Sequence, residues 1–495
     1  MCLLQLPDTC LVAVLRCCAD DPRSMFSAAR AHSRLHQAAK VALSSIKAVT
    51  VRNPRTRQQM GSLLQYLSAH GQHVESISVK GVGEGWDEGF RAGSALESLA
   101  SDLTKLSSLT LEYLYVQLHD IPYLEHRGVL GAPAAPPLKQ LRLHSCVLLD
   151  HDPGLAAALS RLTGLEHLSI RNTLAWWIQR IYFAVPAGAL QMLQQLTYID
   201  LSGCMLQHPA DLSLLQGLTR LQDMRLRSNS NVHDVPASML SGSQQLTHLE
   251  LTWVVDDHCP RPPFEPAVLT GQAYLQHFAL VEYGIGDSAG VAQLLSQLQQ
   301  LQQLTYLDLS SSLFAAAPAG AYSALTASSK LQHLKLVSCT IPAGAWQRIF
   351  PPGRQLPKLQ ELVVSRVVES NFTRAAIPGG SSLVSCCPGL RSLQMAGLQC
   401  STEGLAALQG LSGLTSLSLS SAGPASYELL QAVCQLRRLR HLDLYMRDTA
   451  DLLQLSQLQQ LTHLQFNGGF GGEEGCQFIL RVQVSWAEVC GVCCC

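Results

Sequence analysis

One pattern of apolar residues recurs along nearly the whole chain and limits the folds that it can adopt. The pattern is apolar-x-x-apolar-x-apolar, and it is clearest at Leu331, Leu334 and Leu336. Sixteen segments fit it, and they start at residues 46, 74, 106, 138, 165, 196, 221, 246, 275, 304, 331, 359, 390, 414, 439 and 461. Successive segments start 22 to 32 residues apart. A period of this kind is the signature of a stacked repeat protein.

Each segment predicts a short β-strand with one buried face. In the segment that starts at residue 331, Leu334 would point inward while His333 and Lys335 point to the opposite face, because strand side chains alternate. The leucine row of one unit can be covered only by neighbouring units, so we expect the units to stack into a solenoid with a curved parallel sheet. Apolar stretches at 154–162 and 291–301 predict helices or helical turns on the convex side.

Over about residues 46–466 this pattern resembles that of the leucine-rich-repeat family. Three units carry a cysteine where that family has a buried Asn or Cys, and a fourth carries an asparagine: Cys146, Cys204, Cys339 and Asn229. The resemblance implies an α/β solenoid of about 16 units, of the ribonuclease-inhibitor-like or cysteine-containing type.

Residues 1–45 do not fit the repeat and predict a short all-α segment. A helical period begins at Leu11, and Asp21-Pro22 interrupts the chain before a second helix at about 24–43. The segment contains Leu6-Pro7, Leu11, Val14-Leu15, the break at Asp20-Asp21 and the stretch from Ala29 to Arg34. In these residues it resembles an F-box, the module that binds the Skp-type adaptor of a cullin–RING ubiquitin ligase. The resemblance implies that these residues face the adaptor: Leu6, Pro7, Leu11, Val14 and Leu15. The other interpretation is a helical cap over the first repeat.

Side chains at the third, fifth and seventh places of each unit would form the concave face, which is the usual binding surface of a solenoid. The densest charged patch on it comprises Arg142, His144, His167, Arg171, Arg225 and Arg227. One interpretation is a site for an anionic partner or an acidic peptide, because arginine makes bidentate contacts with carboxylates. The other is a solvated strand face, in which Asp200 and Asp223 dilute the positive charge.

Histidine occupies the third place of six units: His167, His248, His277, His333, His441 and His463. Two pairs fall on adjacent units, His248 with His277 and His441 with His463. A zinc ion needs three or four protein ligands, and the sequence pattern suggests no cysteine or carboxylate near either pair. We therefore expect no metal site and no cofactor. The hydrolase motifs Gly-x-Ser-x-Gly and His-Glu-x-x-His do not occur, so we expect no enzyme.

The composition favours a soluble protein whose partner is another protein. Lys and Arg number 35 against 36 Asp and Glu, and the net charge of -1 gives no overall attraction to nucleic acid or to a membrane surface. The 17 cysteines form no dense disulfide framework, which fits a reducing compartment. The chain starts without a signal peptide, and no apolar run reaches the roughly 18 residues of a membrane span. The expected location is the cytoplasm, with the nucleus as the alternative.

The last segment, 467–495, is a tail rich in glycine and cysteine. Residues 478–484 alternate in polarity and predict one further strand. The chain then ends with Cys490, Cys493, Cys494 and Cys495, and a single Cys-x-x-Cys pair is only half of a zinc site.

These features together predict a non-catalytic protein-binding receptor. The expected role is the substrate-recognition subunit of a Skp–cullin–F-box ubiquitin ligase. The N-terminal segment would bind the adaptor and, through it, the cullin, while the concave face would hold a protein target that the sequence does not identify. The alternative is a leucine-rich-repeat scaffold or regulator with no ubiquitin role, whose N-terminal helices only cap the solenoid.

Overall fold

The computed structural model describes sixteen parallel strands and the elements between them. The described residues are 7–17, 32–35, 37–38, 47–52, 65, 67–68, 71–81, 103, 105–113, 115–116, 138–148, 159–160, 162–171, 187–204, 214–227, 235, 237–253, 264–285, 287–312, 317–369, 380–396, 408–419, 427–445, 455, 457–469 and 477–483. The chain forms two compact units, Met1–Val232 and His233–Cys495, and each is described by itself.

The first unit contains seven long parallel strands among its described residues. Its strands are β1 Ala48–Arg52, β2 Ser76–Lys80, β3 Ser108–Glu112, β4 Tyr115–Val116, β5 Gln140–His144, β6 Val147–Leu148, β7 His167–Arg171, β8 Tyr198–Asp200 and β9 Asp223–Arg227. The long strands pair in the order β1-β2-β3-β5-β7-β8-β9, and the short β4 pairs with β6. The helices are α1 Asp8–Cys17 and α2 Ala187–Leu190, with 3₁₀ turns at Gly71–His73 and Leu214–Gly217.

The second unit contains nine long parallel strands in its described part. Its strands are β10 His248–Thr252, β11 His277–Val281, β12 Tyr306–Asp308, β13 His333–Val337, β14 Thr340–Ile341, β15 Glu361–Ser365, β16 Val368–Glu369, β17 Ser392–Ala396, β18 Ser416–Leu419, β19 His441–Tyr445, β20 His463–Gly469 and β21 Gln477–Gln483. The nine pair in chain order from β10 to β20, and the short β14 pairs with β16. The helical elements are α3 Ser288–Gln300, α4 Ala345–Ile349, α5 Gly380–Cys386 and α6 Tyr427–Cys434, with 3₁₀ turns at Ala237–Leu240, Pro266–Leu269 and Ala319–Thr326.

Each of the sixteen long parallel strands begins two residues after one of the sixteen positions at which the sequence pattern starts. Parallel pairing of strand after strand, without closure into a barrel, is compatible with the predicted α/β repeat solenoid. The strand predicted at 478–484 corresponds to β21. It runs antiparallel to β20, so it does not continue the parallel repeat.

Buried apolar columns hold each sheet together. In the first unit the second residue of each long strand from β2 to β9 is at most 2% exposed and stands in register with its neighbours: Ile77, Leu109, Leu141, Leu168, Ile199 and Met224. In the second unit the same position gives Leu249, Phe278, Leu307, Leu334, Leu362, Leu393, Leu417 and Leu442. Burying one such side chain contributes about 1.5–3 kcal/mol, and each is in register with apolar residues of the adjacent strands.

A residue with positive φ follows seven of the long strands. It always lies seven positions after the start of the sequence pattern. These residues are Tyr113, Ser145, Gly203, Glu282, Ser311, Ser338 and Arg366, with φ between 51° and 72°. The N–H of each donates to a backbone carbonyl at or just after the end of the next long strand, over 2.6–3.0 Å. The left-handed conformation costs a residue with a side chain about 1–2 kcal/mol. The recurring hydrogen bond between neighbouring repeats offsets that cost.

In four repeats the residue after the left-handed one is a cysteine or a serine, and it is buried in each. Cys146, Cys204, Ser312 and Cys339 donate to the carbonyls of Leu111, Ile170, Leu280 and Leu309, which belong to the preceding strand or its end, over 2.8–3.3 Å. The three cysteines predicted to be buried are therefore hydrogen-bonded thiols rather than disulfide partners. Asn229, the fourth predicted position, lies outside the described residues.

The connecting segments are helical where the sequence has a helical period. The helix predicted at 291–301 is α3, which begins earlier because Asp287 caps it by accepting a 2.7 Å hydrogen bond from the N–H of Gly290. Its buried side chains are Val291, Leu294, Leu295 and Leu298. Of the other predicted stretch, 154–162, the described residues 159–160 are helical.

The N-terminal segment begins with helix α1, close to the helical period predicted from Leu11. Residues 33–35 and 37–38 are also helical, and the rest of the predicted second helix lies outside the described residues. Asp8 and Arg34 form an ion pair between these two stretches, with Oδ1 and Nη2 2.6 Å apart. Among the described residues no helix is long and apolar enough to cross a membrane.

We expect Gly203→Ala to lower the stability of the protein by about 1–2 kcal/mol, because its φ of 72° is unfavourable for a residue with a Cβ. The matched control is Gly188→Ala in α2, where an added Cβ meets nothing within 4 Å. That substitution should be neutral or stabilise by up to about 1 kcal/mol. Denaturant unfolding of both variants measures the difference, and equal losses would contradict the role given to the left-handed residue.

Candidate functional site

Alternation along each strand leaves one face of each sheet partly exposed. In β13, Leu334 and Leu336 are buried, whereas His333, Lys335 and Val337 are half-buried. The side chains at the first, third and fifth residues of the long strands are called the ladder face of a unit below. They occupy the third, fifth and seventh places of the sequence pattern, which is the face predicted to bind a partner.

All six residues of the patch predicted from the sequence lie on the ladder face of the first unit. Arg142 and His144 lie on β5, His167 and Arg171 on β7, and Arg225 and Arg227 on β9. Strand β8 runs between β7 and β9 and contributes Tyr198 and Asp200. Four consecutive strands thus bring the predicted residues together around Tyr198, a residue that the sequence prediction missed.

Asp200 is fully buried at the centre of this region. Its Oδ2 accepts from Arg171 Nε at 2.5 Å and from the Tyr198 hydroxyl at 3.3 Å. Its Oδ1 accepts from the N–H and the hydroxyl of Ser202, at 3.1 and 2.5 Å. A buried carboxylate needs such partners, because an unpaired charge in the interior is strongly unfavourable. Burial alone would lower the pKa of Arg171, but the hydrogen bond and charge of Asp200 raise it.

Tyr198 lies between a histidine and an arginine of the neighbouring strands. The His167 ring stacks on it, with centroids 3.9 Å apart and planes 5° from parallel. The guanidinium carbon of Arg225 lies 5.4 Å from the tyrosine centroid, and Arg225 makes two 2.9 Å hydrogen bonds to Asp223. Burial and the charge of Asp200 raise the pKa of Tyr198, so its hydroxyl remains a donor at neutral pH.

The positive charge of this region is smaller than its residue types suggest. Arg171 and Arg225 are paired with aspartates. Burial and Arg142 lower the pKa of His167 to about 4, and burial and Arg171 lower the pKa of His144. Arg142 Nε donates to His167 Nε2 at 3.2 Å, which requires that nitrogen to be unprotonated. Four of the six predicted residues therefore add little net positive charge, so the patch is not an open array of six cations.

The second unit repeats this arrangement. The His277 ring stacks on Tyr306 with centroids 3.9 Å apart and planes 5° from parallel, and Lys335 Nζ lies 5.4 Å from the Tyr306 centroid. The Tyr306 hydroxyl donates to Asp308 Oδ2 at 3.3 Å. Asp308 Oδ1 accepts from the N–H and hydroxyl of Ser310, at 3.0 and 2.6 Å. Both units thus contain the same Tyr-x-Asp-Leu-Ser module.

The module has a clear sequence signal. Residues 193–202 and 301–310 are identical except at one position, Ile199 against Leu307. The tyrosine and the aspartate are two residues apart, so they point to the same face of a strand. Comparing the sequences of the repeats with one another would have found both modules.

The column of stacked rings in the second unit extends to His248. Its ring lies 3.8 Å from that of His277, with planes 11° from parallel. Glu250 Oε2 lies 3.6 Å from His248 Nε2. The prediction that no carboxylate accompanies this histidine pair is therefore wrong. Glu250 follows His248 by two residues, so strand alternation could have placed both on one face.

The five residues predicted to contact an adaptor are placed in different environments. Leu11 and Leu15 are packed within the chain, with 0% and 4% exposure, whereas Val14 is 39% exposed and Pro7 is exposed. Leu6 lies outside the described residues. Helix α1 therefore exposes Val14 rather than Leu11 or Leu15.

No protein-family model matches this chain, and no curated protein sequence matches it either.

We expect the His167 ring to stay neutral until the pH approaches 4, because burial and Arg142 oppose its protonation. An ordinary histidine, as in the unfolded chain, takes up a proton near pH 6.5. Between these values the unfolded state binds more protons, so the stability from His167 is complete above pH 6.5 and is lost as the pH falls toward 4. An NMR titration of the ring measures this directly. Arg142→Gln should raise the pKa of His167, and a wild-type midpoint near 6.5 would contradict the expectation.

Proposed function

We propose that this chain is a protein-binding receptor of the leucine-rich-repeat type, which holds its target on the ladder face. The supporting observation is the asymmetry of the sheets. One face of each strand is covered by in-register apolar columns, whereas the other carries half-buried rings and ion pairs on successive strands. Tyrosine and arginine that are partly desolvated and held in place are the residues most enriched at binding hot spots. Tyr198 and Arg225 have these properties.

The mixed charge of the ladder face favours a specific protein surface over a generic polyanion. Arg171 and Arg225 are paired with Asp200 and Asp223, so a polyanion would have to displace these two carboxylates to reach them. A folded partner with its own donors, acceptors and aromatic groups could add to these pairs without breaking them.

We further propose that residues 1–45 act as an F-box-like segment that binds a Skp-type adaptor, which makes the chain the substrate-recognition subunit of a cullin-based ubiquitin ligase. The proposal is supported by the resemblance of Leu6, Pro7, Leu11, Val14 and Leu15 to an F-box, and among the described ones Val14 is the large apolar side chain that α1 leaves exposed for such a contact. The chain would catalyse nothing in this role, since ubiquitin transfer belongs to other subunits.

A plain scaffold is the second candidate, and one observation favours it. Leu11 and Leu15 are buried within the chain, and the Asp8–Arg34 ion pair ties α1 to the helical residues after it. This is the arrangement expected of a helical cap, which would cover the first repeat and bind no adaptor.

We expect Val14→Asp to abolish binding of a purified Skp-type adaptor to the full-length chain, since it places a charge in an apolar contact. Leu11 is unsuitable for this test, because a charge at a fully buried position would unfold the helix. Thr9→Asp is the matched control: it adds the same charge at an exposed position about 140° around the helix. A pull-down that captures no adaptor with the wild type, or equally with both variants, would leave the scaffold as the function.

We expect Arg225→Ala to reduce recovery of the target about fivefold or more, the effect of losing a hot-spot contact of at least 1 kcal/mol. The measurement is quantitative mass spectrometry of proteins purified with the full-length chain from cells. Arg220→Ala is the control, because Arg220 is exposed, lies outside the strands and bonds only Gln195 among the contacts described. A set of recovered proteins that both variants leave unchanged would show that the ladder face of the first unit is not the binding surface.

A further inference from the structure

We propose that His248, Glu250 and His277 form a binding site for a divalent transition-metal cation of the zinc class on the ladder face of the second unit. The site requires neither the adaptor nor the protein target, so its test is independent of the proposed receptor function.

The parallel register of β10 and β11 brings the three side chains together. His248 stands opposite His277, and their rings stack 3.8 Å apart. Glu250 lies on the same face of β10 two residues further on. One ligand atom from each residue can be chosen such that all three lie within 4.8 Å of one another, and this is the one such group in the part of the chain that the structure describes.

The Nε2 atom of His248 indicates that the cluster lacks a component. It is buried, and among the described residues no hydrogen-bond partner is within reach of it. Glu250 Oε2, at 3.6 Å, is beyond hydrogen-bonding distance. A buried polar atom without a partner is unfavourable by about 1–3 kcal/mol. A cation bound here would give this nitrogen a partner.

The donor set fits a metal of the zinc class better than calcium or magnesium. Two imidazole nitrogens and one carboxylate oxygen are the ligands of known three-residue zinc sites, in which water or another ligand takes the fourth position. Calcium and magnesium prefer sets made of oxygen alone. Bonds of about 2.0–2.2 Å to a tetrahedral ion place its ligands about 3.4 Å apart. The set must therefore contract by about 1.4 Å at its widest. An imidazole lone pair lies in the plane of its ring, so the two nearly parallel rings must also turn toward one another to share an ion, and side-chain rotation on a partly exposed face allows both movements.

The register leaves room for an ion beside Glu250. Ala279 is the register partner of Glu250, so a small side chain stands where the next strand would otherwise fill the site. Tyr306 stacks on the far side of His277, so binding of an ion would tilt the His277 ring away from Tyr306.

The chain contains a natural control for this site. His441 and Asp443 on β19 with His463 on β20 repeat the same spacing of histidine, acid and histidine. Their rings are further apart and less parallel, at 4.5 Å and 19°. Asp443 Oδ2 accepts a 2.9 Å hydrogen bond from Ser418 on β18, on the other side of β19, so this carboxylate is directed away from the histidine pair.

The test is a Co²⁺ titration of the reduced full-length chain, followed by visible absorption. Cobalt is the probe because the chain has 17 cysteines, and cobalt bound to thiolates gives strong near-ultraviolet bands that a histidine–carboxylate site does not. We expect the wild type to bind one thiolate-free cobalt ion that Zn²⁺ displaces. His248→Ala combined with His277→Ala should lose this ion, and Glu250→Gln should weaken it by at least the roughly 10–100-fold that follows from loss of an outer metal-site contact.

His441→Ala combined with His463→Ala should bind cobalt as the wild type does. Circular dichroism verifies that each variant is folded. If the double alanine variant of the site unfolds, Glu250→Gln decides, because it keeps the shape of the side chain and removes only its charge. The proposal is overturned if the wild type shows no thiolate-free cobalt ion, if Glu250→Gln binds it as tightly as the wild type, or if the control pair loses it.

Discussion

A strand in either sheet has one apolar face that it cannot bury by itself. Its two inward side chains are covered by those of the strands on either side, as Leu141 stands in register with Leu109 and Leu168. The left-handed residue after the strand adds a directional contact, because its N–H reaches the end of the next strand. Apolar burial draws neighbouring units together without direction, and this hydrogen bond sets how far one strand can slide along the next.

That register determines the chemistry of the ladder face. Strands in a sheet are about 4.8 Å apart, yet the stacked rings of His167 and Tyr198 and of His277 and Tyr306 approach to 3.9 Å. Planar side chains at the same position of adjacent strands can close this gap by leaning onto one another. Such columns form at His167 and Tyr198 and at His248, His277 and Tyr306, whereas the His333 ring is tilted by 39° to that of Tyr306 at 5.9 Å. The stacked rings are half-buried, and their polar edges are left for contacts along the strand.

The positions of the strands could be predicted from the sequence, because burial of one face demands an alternation that any single unit displays. The partners that ladder-face residues have on neighbouring strands could not. Arg171 is a cation in the sequence, but in the structure Asp200 neutralises it. The contact of Arg171 with Asp200 joins residues of neighbouring strands, so it depends on how repeats of different length are aligned. Only the pairing within one strand, as between Glu250 and His248, was open to prediction.

The two Tyr-x-Asp-Leu-Ser modules show how one sequence can acquire two chemistries. The segments are nearly identical and fold with the same internal hydrogen bonds, so their difference must come from the strands beside them. In the first unit the histidine before the tyrosine accepts from Arg142, and its proton affinity falls. In the second unit the corresponding histidine stacks on His248 and joins Glu250 in a set of metal-type donors. In a sheet built from repeats, therefore, the residues of one repeat define its shape, and the residues of the neighbouring repeats decide what it can bind.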